Sequence, residues 1–99
     1  MSEKLSKAQK MISDECDAVK RLLIAKNREY GNSALEPVNV FSNLSAEEQI
    51  RVRIDDKLKR INTTHGMAKT VIHEDTEQDL IGYLVLLRVA RRWKKGDQS

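Results

Sequence analysis

One stretch constrains this chain more than any other: Glu74 to Leu87, EDTEQDLIGYLVLL, in which Asp75 and Asp79 head the most apolar run of the sequence. A carboxylate that leads into a buried helix needs a cation, a metal or a hydrogen-bond donor, because an unpaired buried charge costs several kcal/mol. The remainder of the chain has to supply that partner.

The chain is short. Its 99 residues, 33% charged and 4% aromatic with a single proline, suit one all-α domain over 1–99 better than a β-sandwich. A net charge of +3 permits nucleic-acid binding without demanding it, so nucleic acid is not an expected partner. Cys16 is the one cysteine, which leaves no intramolecular disulfide and no multi-cysteine zinc site. The opening MSEKLSKAQK lacks the apolar core of a signal peptide, and no apolar run approaches the roughly 20 residues of a membrane span. The expectation is a soluble, cytoplasmic protein with no membrane partner.

Leu5, Ala8, Ile12, Cys16, Val19 and Leu23 follow helical spacing and predict a first helix over about 5–28, with Cys16 as a small buried hydrophobe. Asp14, Glu15 and Asp17 flank that stripe and fit a solvated face. Gly31 and Asn32 should close the helix. Glu29 sits in the last turn, where the helix dipole disfavours an acid, so it suits either simple exposure or pairing with a cation or metal. Tyr30 adjoins it. From 32 to 44 the chain has no period, and Val38, Val40 and Phe41 either pin this loop to the core or build the wall of a pocket.

Ser45 and Glu48 have capping-box spacing and open a second helix over about 46–62, with Ile50, Ile54, Leu58 and Ile61 as its apolar stripe. Arg53, Asp56, Lys57 and Arg60 share a separate arc of about 100°. Asp56 and Arg60 can form an ordinary surface pair. Alternatively, one cation pairs with Asp56 or with the third-helix aspartates while the others remain free for a phosphate, a role that arginine's planar fork suits. Gly66 is the expected terminator of this helix, and His65 and His73 read as exposed loop histidines.

The third helix is expected over about 74–95. Glu74 and Asp75 would then occupy a first turn that favours acids. Asp75, Asp79, Gly82, Tyr83, Leu86, Ala90 and Trp93 share a face, and apolar residues fill most of the remaining circumference. A helix apolar nearly all round is buried on more than one side, which in a chain this short predicts a homo-oligomer. Gly82, costly inside a helix, suggests close approach by another backbone or a ligand.

With KNREYGNS, RIDDKLKRI and EDTEQDLIGYLVLL in view, the chain resembles the nucleotide-modification-associated domain family of phage and prophage genomes, over roughly residues 20–90. That family is similar in turn to the all-α MazG and dimeric dUTPase-like nucleotide pyrophosphohydrolases, whose helices bring paired carboxylates to magnesium. The resemblance implies a helical bundle completed by oligomerisation and a phosphorylated nucleotide or nucleotide-derived ligand, in the host cytoplasm if the gene belongs to a phage. It implies Arg53, Lys57 and Arg60 at phosphate, Tyr30 or Tyr83 on a base, and magnesium on Asp75, Asp79, Asp56 and Glu29. The enzymes' E-x-x-E is here Asp56-Lys57-Leu58-Lys59, one carboxylate short, and their E-x-x-D is respaced as Asp75 to Asp79. Binding and sequestering a nucleotide is therefore expected ahead of magnesium-dependent hydrolysis with Asp56, Asp75 and Asp79 as catalytic candidates. A protein-interaction module without a small ligand is the remaining alternative.

Overall fold

The computed structural model describes residues 4–63 and 71–93. Among them the regular structure is three α-helices, α1 (Lys7–Tyr30), α2 (Ala46–Thr63) and α3 (Val71–Arg92), with no strand, so the fold is all-α. The chain divides into two compact units that meet at Gly31 and Asn32.

The first unit is built on α1. Ser6 caps it: its hydroxyl accepts from the Gln9 backbone N–H at 3.1 Å, and the Gln9 side chain accepts from the Ser6 N–H at 2.9 Å. This reciprocal pair satisfies two donors that a helix start leaves open and moves the start two residues beyond Leu5. At the other end Gly31 has a φ of 68°, as expected of a closing glycine, and donates its N–H to the Asn27 carbonyl at 2.7 Å. Val19 is the buried residue of the helix, and Leu23 is half-buried. Leu5, Ile12 and Cys16 are exposed, which corrects the expectation of a buried thiol. A unit with a single helix offers its own stripe no second surface to lie against.

The second unit is an antiparallel α2–α3 hairpin preceded by the 32–45 segment. Ser45 caps α2 by accepting from the Glu48 N–H at 3.1 Å. Glu47 and Glu48 occupy the first turn, where the dipole favours acids, and both pair with Arg51. Ile50 and Leu87 are buried in the seam between the helices, with Ile54, Ile61 and Leu86 half-buried beside them. Leu58, expected in the stripe, is 50% exposed, and the side chain of Lys57 takes the inward position instead. At 100° per residue Lys57 lies nearer than Leu58 to the centre of the arc defined by Ile50, Ile54 and Ile61.

Two further expectations change. α3 begins at Val71, three residues ahead of Glu74, so His73 lies in the helix rather than in a loop, and Glu74 closes its first turn. Asp75 consequently stands past the first turn. The loop is held by polar bonds and not by apolar pinning. Gln49 donates to the Asn39 side chain at 2.7 Å and to the Leu44 carbonyl at 3.0 Å, while Val38, Val40 and Phe41 are exposed. Asn39 has a φ of 56°, a conformation that asparagine tolerates better than most residues. Gly66, His65 and the predicted end of α3 at 95 lie outside the described residues.

Because the seam buries few apolar groups, each should count heavily. Ile50→Ala is expected to cost about 2 to 5 kcal/mol. Val52→Ala, at a residue 47% exposed, should stay within about 0.5 kcal/mol of wild type when both are followed by far-ultraviolet circular dichroism in denaturant.

Candidate functional site

The carboxylate that heads the apolar run finds its cation on the neighbouring helix. Lys57 Nζ and Asp79 Oδ2 lie 3.2 Å apart, with the two side chains only 16% and 31% exposed. At that distance the gross attraction is about 5 kcal/mol for an effective dielectric constant near 20, and partial desolvation of both ions offsets much of it. Asp79 makes a further interaction besides this pair, so its carboxylate is more heavily engaged than the ammonium.

The pair also fixes the register of the hairpin. Ala46 and Ala90 line one cavity at the far end of the seam and obey the same antiparallel alignment as Lys57 and Asp79. Gly82 is buried, in keeping with close approach of the two helices. Thr76, 2% exposed, is the most buried polar residue of the described chain and has a hydrogen-bonding or electrostatic partner. Sequence reading passed over it, although its place one turn before Asp79 on the inward face was readable from helical spacing.

Of the expected phosphate-binding set, Arg53 and Arg60 are exposed and lie one helical turn on either side of Lys57. Arg60 already makes an interaction of its own. Tyr83 is half-buried on the α3 side. Tyr30 is 66% exposed and, with Glu29, belongs to the first unit. Asp56 and Asp75 are exposed. Among the described residues no three His, Cys, Asp or Glu side chains come together as a metal site. The structure thus joins Lys57 to Asp79, with Arg53 and Arg60 one turn to either side of Lys57 on α2, while the proposed magnesium ligands form no such group among the described residues.

A second concavity was not anticipated in detail. Leu35, Glu36, Pro37 and Trp93 line a cavity of about 380 Å³ beside the start of α2. The Trp93 indole N–H donates to Glu36 at 2.9 Å, tying the loop to the end of α3. The loop therefore does build a pocket wall, with its first residues and not its apolar tip. Glu36 and Glu47 give this cavity an acidic lining.

Comparison with protein-family models, with curated proteins and with solved structures gave no match for this chain.

The pair can be tested directly. Lys57→Met and Asp79→Leu are each expected to lose roughly 1 to 3 kcal/mol, because each strands a sheltered charge. Asp79→Leu should be the worse of the two because of its additional interaction, and the double variant should recover much of the loss. A double-mutant cycle in urea measures the coupling, and strictly additive losses would show that the pair contributes nothing.

Proposed function

We propose that the second unit binds the phosphate of a nucleotide or nucleotide-derived molecule along the α2 edge of the hairpin, and that the protein works as a homo-oligomer. The observation that carries the binding reading is the sheltered Lys57–Asp79 pair. It holds one cation in place against α3, and Arg53 and Arg60 stand exposed one turn to either side of it, Arg60 with an interaction of its own. A guanidinium presents paired donors to phosphate oxygens, and charge-assisted hydrogen bonds of this kind are about twice as strong as neutral ones. Tyr83, half-buried on α3, is the ring this reading assigns to a base.

The likeness of KNREYGNS, RIDDKLKRI and EDTEQDLIGYLVLL to phage nucleotide-modification-associated proteins supports the ligand class. Magnesium enters this reading as the counter-ion of the phosphates, since the described side chains gather no three-residue metal site. For the same reason binding and sequestration is preferred to pyrophosphohydrolysis. Self-association is supported by a different observation: Ile81, Leu84 and Val85 are 40 to 49% exposed on α3, and Val52 and Leu58 are similarly open on α2.

Calorimetric titration with a panel of nucleotides, with and without magnesium, tests the reading. Saturable heat is expected with a phosphorylated member and none with its nucleoside, and chromatography should return the ligand intact. Arg53→Ala and Arg60→Ala should each weaken binding by about tenfold or more, the loss of one charge-assisted contact. An absence of heat across the panel would reject the binding reading, while released pyrophosphate or monophosphate would replace it with the enzymatic one.

A further inference from the structure

The outer face of α3 is opposite the one that meets α2. At 100° per residue its stretch from Glu77 to Arg92 comprises Glu77, Ile81, Leu84, Val85, Arg88 and Arg92, within an arc of about 100°. All six are exposed. The face has an acid at one end, three apolar residues in the middle and arginines at the other end. Among the described residues no ion pair engages Glu77, Arg88 or Arg92.

This order is self-complementary. If a second copy of α3 lies antiparallel about a two-fold axis between Leu84 and Val85, the six residues map onto the same six residues of the partner. Leu84 meets Val85, Ile81 meets the aliphatic stem of Arg88, and Glu77 meets Arg92. Each contact occurs twice, as a two-fold interface requires. Between Glu77 and Arg92 no residue of this face is left without a counterpart. A register shifted by one residue would move the two-fold axis about 50° round the helix and take Glu77 off Arg92.

We infer that the occupant of this face is a second copy of the chain, bound through antiparallel α3–α3 pairing in this register. The inference rests on the self-association proposed above and assigns it a surface and an alignment. The chemistry favours it over a membrane surface, because Glu77 would be carried into an anionic bilayer beside the apolar residues. It also favours it over an unrelated helix, because both ends of the stripe find opposite charges in the same sequence. With only three apolar residues per copy at its centre, the contact should give a concentration-dependent dimer.

Charge reversal in the full chain is the test, read by sedimentation velocity over a concentration series. Glu77→Arg sets a guanidinium against each Arg92, once at each end of the interface, and should raise the dimer dissociation constant by about tenfold. Arg92→Glu should do the same. Combining them restores an acid opposite a base and should bring dimerisation back toward wild type, with helix content unchanged throughout because both positions are exposed. A wild-type chain that stays monomeric at all concentrations would overturn both this pairing and the self-association it rests on. A wild-type dimer that either reversal leaves intact, or that the double reversal fails to rescue, would overturn the α3 register while leaving self-association standing. The nucleotide titration above is independent of all three outcomes.

Discussion

A hairpin of two helices has a single seam, and in this protein an ion pair occupies part of it. Burial of a large apolar side chain contributes about 1.5 to 3 kcal/mol, so Ile50 and Leu87 alone give the second unit a modest hydrophobic core. The polar groups that share the seam must then be matched almost completely, since one stranded ion would cancel a whole buried side chain. Lys57, Asp79 and Thr76 meet that demand, each with a partner. The seam also explains why α3 can carry two carboxylates at its head without penalty: Asp79 is answered across the interface, and Asp75 stands in solvent.

From that seam the surface divides into regions of different character. On the α2 edge, cations one turn above and below Lys57 face outward. At the end of the hairpin, the Glu36–Trp93 hydrogen bond and the acids near the α2 start give a concavity of opposite preference. Behind α3 lies the apolar stripe bounded by Glu77 and Arg92. The proposed phosphate edge and the proposed α3–α3 face lie on different sides of one helix pair.

The helices themselves were readable because their signals are local: helical spacing in Ile50, Ile54 and Ile61, a serine cap at Ser45, and a glycine stop at Gly31. Errors arose where local pattern underdetermines packing. Lys57 and Leu58 are neighbours on the rim of one stripe, and hydrophobicity points to Leu58, whereas the choice is made by Asp79 on another helix. Cys16 and Ile12 have the spacing of a buried face, but spacing cannot say whether a covering surface exists. Val38, Val40 and Phe41 suggested an apolar anchor, yet hydrogen bonds from Gln49 hold that loop. The early start of α3 was hidden by Val71 and Ile72, β-branched residues with weak helix propensity. For the site, the candidate cations and Asp79 were legible, but which cation pairs with Asp79 was not.

The pairing bears on what kind of phosphate the site would favour. On the binding reading, Arg53, Lys57 and Arg60 are opposed by Asp56 on their own helix and by Asp79 across the seam, so three cations face two carboxylates. A bare triphosphate would bring more negative charge than the remaining positive balance matches, and Asp79 would repel its nearer oxygens. A phosphodiester, or a polyphosphate already carrying magnesium, has much of its charge spread or neutralised before it arrives. The Lys57–Asp79 pair would then serve selectivity as well as folding. By partly cancelling its own cation, the seam disfavours the most highly charged ligands and leaves discrimination to the directional donors of Arg53 and Arg60, whose geometry distinguishes a phosphate from a simple anion in a way that a point charge does not.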